Sequence, residues 1–431
     1  MLIRLPTLTS HVLLGSCLIL VLGTANGQSS LSYEREFPSI GYMSAELEDA
    51  IARLQAGLNS GVVTLDFNQE RGYLDAVLQA LEIDSSSQLL VFSKTSLQQH
   101  LISPATPRAI YFNDEVYVAW IQGSQVLEIA SMDPNLGPVF YTLNQQESEQ
   151  PNFERQLHQC LRCHDSYTLT GGGIPRFMMS SGYTGRQGQL ISHEGNVLTT
   201  SRTPVQSRWG GWFVTGSHGE QLHLGNALIE TAADLEIENL AKTGNVLDLS
   251  SLTDTEPYIS AYSDIVALLV IEHQIEVQNL ITYVNYHARV ALENEALSTQ
   301  EVQVEIETLS EELVQSLLMV GQPAFNSSIT GVSGFAEMFG ELGPRDAQGR
   351  SLRDLDLTTR LFKYPLSYLI YSDAFAALPQ QVKDTVTTRI NSVLLGRDSS
   401  GDFDHLTAPD RRAIIDILNA TSSIKIDSDI H

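Results

Sequence analysis

Cysteine is scarce in this chain: 431 residues contain 3, at positions 17, 160 and 163. Exported chains often gain rigidity from paired cysteines, and no such framework is on offer here. The core must hold the fold alone, and 42% apolar residues suffice for that. Positive charge is also short, with 25 Lys and Arg against 51 Asp and Glu, a net of −26. That balance disfavours nucleic acid and anionic lipid as partners. It suits a basic protein partner or a small molecule, besides aiding solubility. Long apolar runs are missing as well. The run at 12–22 falls short of the ~20 residues a bilayer-spanning helix needs. A later run, within 263–294, is interrupted by Glu272 and His273, so no membrane span is expected. No phosphate-binding glycine loop and no Ser-His-Asp arrangement can be placed, which leaves kinase and hydrolase chemistry without support.

Residues 1–27 have the pattern of a secretory leader. Arg4 is the only charge, an apolar stretch follows, and Ala25-Asn26-Gly27 supplies small residues for cleavage. Export to a bacterial periplasm is the expectation. Leu14-Gly15-Ser16-Cys17 also resembles a lipoprotein box, with a lipid anchor on Cys17 as the rival outcome. The apolar run continues past that cysteine to Leu22, which counts against the anchor.

The remaining two cysteines stand together in Cys160-Leu161-Arg162-Cys163-His164. Two cysteines three apart followed by histidine is the c-type haem attachment pattern. Two thiols add across the two vinyl groups of one porphyrin, which fixes their spacing. The adjacent histidine then donates its imidazole to the iron. Zinc would need a second ligand pair at matching spacing, and the sequence has none. A redox-active pair would follow a strand and open a helix in a βαβ unit, and no such unit appears. Haem c, one per chain, is therefore the expected cofactor, held by Cys160 and Cys163 with His164 on the metal.

Around this motif the chain reads as α+β. Beyond the leader, 28–150 is a mixed α/β region with helices over 44–58, 73–81 and 96–101. Strand-like runs at 108–112, 116–122, 126–131 and 139–143 are separated by Asn113-Asp114, Gly123-Ser124 and Asp133-Pro134-Asn135. They read as an antiparallel meander forming a wall behind the haem segment. Residues 151–226 hold a short helix at 153–161 and a glycine-rich loop region, and 227–431 is mainly helical. The helical periodicity there spans 263–294, 300–319, 361–371, 379–394 and 407–419. Asp398 to Asp404 is a turn, since the spacing fails that of a calcium loop. Glu272, His273 and Glu276 read as a hydrogen-bonded helix face.

Between 154 and 218 six arginines meet three acids, a local excess of positive charge. Arginine pairs carboxylates through two parallel hydrogen bonds, and haem carries two propionates. Arg176 and Arg208 are the candidates. The stretch Trp209-Gly210-Gly211-Trp212 lets backbone approach a flat group that indoles can cover. His218 follows and is the candidate sixth iron ligand, with His223, Met178, Met179 and His273 as alternatives.

Several segments, AIYFNDEVYVAWIQGS, CLRCH, RWGGWFVTGSHG with HLGN after it, SDIVALLVIEHQ, and PLSYLIYSDAFAALP through HLTAPDRRAIIDIL, resemble a family of exported bacterial mono-haem cytochrome c domain proteins. The similarity extends over most of the chain beyond the leader. It implies thioether links on Cys160 and Cys163, the proximal ligand on His164, and electron transfer with a redox protein partner. It names no sixth ligand and no substrate. Two functions stay open at this point: an electron carrier, or a haem enzyme or sensor whose sixth iron position takes peroxide, a nitrogen oxide or a diatomic gas.

Overall fold

A computed structural model describes residues 34–191 and 195–426; the leader and Cys17 lie outside these. Two helices come first, α1 (Ala50–Asn59) and α2 (Leu74–Ala80). Asp49 starts α1 by accepting from the backbone N–H of Ile51, and Ile51 and Leu54 bury the apolar stripe. A six-stranded antiparallel sheet follows in simple chain order. Its strands are β1 (Leu89–Val91), β2 (Arg108–Phe112), β3 (Val116–Trp120), β4 (Val126–Asp133), β5 (Gly137–Asn144) and β6 (Phe153–Arg155). The four expected strands form its centre, and the fold class is α+β as read from the sequence.

Several readings need correction. The helix expected at 44–58 begins only at Ala50, where Asp49 supplies the cap, and the one expected at 96–101 is a single 3₁₀ turn, Gln99–Leu101. Residues 153–155 are a strand, with Leu143 opposite Phe153 and Tyr141 opposite Arg155. The free edge of β5 supplies the hydrogen bonds, and Gln55 accepts from the Phe153 N–H at 2.7 Å. Helix begins only at Leu161, with Cys160 as its N-cap. The expected helix at 361–371 shrinks to a single 3₁₀ turn, Tyr368–Tyr371. Pro365 explains it, because proline removes an N–H and drives the preceding residue out of helical geometry.

Short elements follow the sheet: α3 (Leu161–His164), α4 (Tyr167–Thr170), the hairpin β7 (Ser180–Gly182) with β8 (Asn196–Leu198), and α5 (Ile237–Thr243). The helical part holds α6 (Ile265–Glu293), α7 (Thr299–Leu317), α8 (Phe335–Glu341), α9 (Asp373–Ala376), α10 (Gln380–Leu394) and α11 (Ala408–Thr421). Ser298 and Glu301 cap α7 reciprocally, as their spacing predicts.

Helix α6 is the spine. Its length and composition would allow it to cross a membrane despite Glu272 and His273, and 83% of its most apolar window is buried inside the fold. Both polar residues are themselves buried and hydrogen-bonded. The helix lies across one face of the sheet. Tyr117 on β3 donates to Gln278 Oε1 at 2.6 Å, and Tyr286 donates to the Leu136 carbonyl at 2.8 Å. Buried apolar side chains from the sheet, from α1 and α2 and from the helical part join in one core.

Candidate functional site

The Cys-x-x-Cys-His segment occupies a single helical turn. The N–H groups of Cys163 and His164 both donate to the Cys160 carbonyl, at 3.1 and 3.0 Å. One turn therefore sets the two thiols and the imidazole on neighbouring positions of one short helix. Cys160 is partly covered, Cys163 is exposed, and neither is in a disulfide. Burial pushes the Cys160 thiol up to about 12, with the carboxylate of Glu128 adding to it. Asp165, buried directly after the histidine, pairs with Arg35.

The chain then turns back on itself through three glycines. Gly171, Gly172 and Gly173 have φ of 86°, 73° and 86°, a left-handed run that side chains with a Cβ resist. At Gly173 a Cβ would also meet the Glu34 carboxylate, a flexible group that can shift, so the left-handed φ is what disfavours larger residues there. The reversal brings Arg176 beside His164 and fastens the two backbones. The Arg176 N–H donates to the His164 carbonyl at 2.9 Å, and the Arg176 carbonyl lies 2.7 Å from His164 Nδ1.

That last contact fixes the tautomer. A carbonyl only accepts, so Nδ1 carries the proton and Nε2 presents a lone pair. Nε2 has no hydrogen-bond partner among the described residues. A metal-binding histidine is held in this way, its distal ring nitrogen donating to a carbonyl. Phe140 on β5 backs the ring, centroids 4.3 Å apart. Burial, with the charge of Arg108 in the same direction, lowers His164 to about 4, so the ring is neutral at physiological pH.

Arg176 sits with its guanidinium 5.7 Å from the centre of the Tyr283 ring. Burial lowers its pKa, its Nε is buried without a partner, and no carboxylate pairs with it among the described residues. Next in sequence, Phe177 is clamped to α6: Asn279 accepts from its N–H at 2.8 Å and donates to its carbonyl at 2.9 Å.

The other residues named from sequence lie in a different setting. Arg208 is 3% exposed and fully engaged. Nη1 donates to Glu272 at 2.8 Å, while Nε and Nη2 donate to the carbonyls of Thr203 and Ser201, each at 2.7 Å. It ties the glycine-rich loop to α6. Trp209 and Trp212 are core side chains, 0% and 5% exposed.

His218 is 3% exposed and faces His223, Nε2 to Nε2 at 3.1 Å. The N–H of Gly225 donates to His223 Nδ1, so the proton of His223 is on Nε2 and points to His218. Asn245 also donates to His218 Nε2 at 2.9 Å. That lone pair is therefore used twice. His273 is fully buried, accepting from Gln322 at Nδ1 and donating from Nε2 to Ser367 Oγ at 2.8 Å. Met179 is 3% exposed and Met178 is partly exposed.

These inward-facing rings carry a pH signature. Burial lowers both His223 and His273 from the usual 6.5 to about 3. The unfolded chain binds the extra protons between these values, so folded stability falls as pH drops through that window. The expected loss is up to about 1.4 kcal/mol per pH unit for each ring. Urea unfolding between pH 7 and 4 measures it, and His273→Gln is expected to flatten the slope by about one proton.

Two free thiols and one imidazole nitrogen without a partner among the described residues share this turn. Among the described residues no group of three His, Cys, Asp or Glu side chains converges to hold a metal. A porphyrin supplies its own four nitrogens and asks the chain for two separated thiols and one lone pair, which is what this turn provides. Sequence reasoning missed Phe140, Asn279, Arg108 and Glu128. The first two were visible only as ordinary strand and helix positions. The last two stand on alternate strand positions that face the motif, a signal that period-two reading contains. No family model matches the chain, and no curated protein or solved structure matches it either.

Proposed function

We propose that this chain is an exported c-type cytochrome: it binds one haem covalently through Cys160 and Cys163, with His164 as proximal iron ligand, and passes electrons to or from a periplasmic redox protein. The observation that carries the reading is the His164 Nδ1–H bond to the Arg176 carbonyl, which leaves Nε2 a directed, unpartnered lone pair beside two free thiols. Haem supplies a one-electron ferric–ferrous couple when bound. The chain holds the imidazole in one tautomer, backs it with Phe140, and offers Arg176 as a carboxylate partner. Arg208 already spends its donors on Glu272 and two carbonyls, so Arg176 is the better candidate for that role.

One observation favours the second reading, a haem protein with an open or weakly held sixth position. His218, His223 and His273 are buried and spend their Nε2 atoms on neighbours within the fold. Ferric and ferrous absorption and magnetic spectra of wild type and His218→Ala test both points. His218→Ala is expected to leave the spectra unchanged, and a lost ligand band would contradict the buried pair. Ferrous protein blind to carbon monoxide supports the carrier. Rapid carbon monoxide binding favours the open site.

A further inference from the structure

The sheet face that carries Phe140 against His164 holds a second feature. Strand alternation and register put Arg108 and Ile110 of β2, Ala119 of β3, Glu128 and Ala130 of β4, and Thr142 of β5 on that same face. The opposite face of these strands is sealed into the core. On the motif side, Arg108, Ile110, Ala119, Glu128 and Ala130 are only partly covered. The segment leading to the thiols crosses this region, where Gln156 donates to Thr142 Oγ1 at 2.8 Å. Glu128 stands directly opposite Thr142.

Arg108 reaches across β3, where Ala119 leaves room, and its Nη1 lies 3.5 Å from Glu128 Oε2. The two charges are unequally served. Glu128 Oε1 also accepts from the backbone and side-chain N–H groups of Gln98, both at 3.2 Å. Arg108 makes only that one long bond, and its Nε is buried without a partner among the described residues. The side chain is 15% exposed, but its buried Nε–H is left without the acceptor such a donor requires. Burial accordingly lowers its pKa.

The geometry points to Arg108 as a positioning residue that receives an anionic group of the cofactor held by Cys160, Cys163 and His164, with Glu128 as the counter-charge that moderates its effect on the redox centre. This rests on the haem reading above. A cation beside a redox centre favours the reduced, more negative form, and a carboxylate disfavours it. The pair therefore sets the reduction potential from the sheet side.

The experiment is a potentiometric titration of the exported holoprotein as wild type, Arg108→Leu, Arg108→Lys and Glu128→Gln. Arg108→Leu should shift the ferric-to-ferrous ratio at fixed potential about tenfold toward ferric, a midpoint lower by about 59 mV for one electron. Glu128→Gln should move the midpoint upward, and Arg108→Lys should stay within a third of the Leu shift. Should Arg108→Leu fail to fold, the Glu128→Gln direction decides, and a midpoint that stays or falls overturns the inference. Haem-loaded Arg108→Leu with the wild-type midpoint also overturns it, because an arginine serving packing alone would alter stability and leave the potential in place. Wild-type chains without haem would remove the underlying reading, a result distinct from an unmoved midpoint.

Discussion

Arg208→Leu is expected to lower the free energy of unfolding by about 3–5 kcal/mol, while haem attachment in the folded fraction stays complete. The reason is the partner left behind. Glu272 has a side chain at 0% exposure and Arg208 one at 3%, 2.8 Å apart. Burial raises the Glu272 pKa, and Arg208 opposes that rise. Without the guanidinium the carboxylate is left buried without a cation, and it either takes up a proton or opens the loop. Two backbone carbonyls, of Thr203 and Ser201, lose their donors in the same step. Chemical unfolding followed by circular dichroism measures the loss, and absorbance per chain measures the haem. A drop in haem content with unchanged stability would return Arg208 to the role of propionate partner. Glu272→Gln, which keeps the shape and removes the charge, should cost less than Arg208→Leu.

His164→Ala has the second large effect, and it is spectroscopic. The thiols are untouched, so covalent attachment is expected in part of the population. With haem bound as proposed, the iron would lose its only nitrogen from this segment, and the spectrum should become high-spin in both oxidation states. The truncation leaves a space against Phe140, beneath the Arg176 carbonyl. Added imidazole should occupy it and bring back the wild-type bands. The lost hydrogen bond itself costs only about 1 kcal/mol, so folding is expected to survive. Wild-type bands without added imidazole would place the axial nitrogen elsewhere in the chain.

The long regular elements were legible because their side chains repeat with a clear period. Helices α6, α7, α10 and α11 lie within a few residues of their expected bounds, and the meander forms the centre of the sheet. The misread elements were settled by tertiary partners or by one residue. Residues 153–155 pair with β5 because its edge is open, which no local pattern shows. The stretch at 361–371 carries apolar residues at helical intervals, and Pro365 outweighs them.

At the site, the attachment motif was readable as a fixed spacing. The bond that fixes the His164 tautomer was not, because it depends on a three-glycine reversal that returns the chain 12 residues later. Arg208 looked like a cofactor arginine by local charge. In the fold it bonds to Glu272, 64 residues on, at a helix position whose burial only the fold reveals. His218 looked accessible in a glycine-rich loop, and that loop turns the ring inward onto His223 and Asn245.

Intact-mass spectrometry joined to a haem absorbance assay tests the central claim most directly, on protein exported from a host that ligates haem. The account predicts a gain of one haem per chain, no alkylatable thiol at positions 160 and 163, and no gain in the Cys160→Ser, Cys163→Ser double variant. A colourless wild-type chain at the mass of the polypeptide, with both thiols open to alkylation, would contradict it.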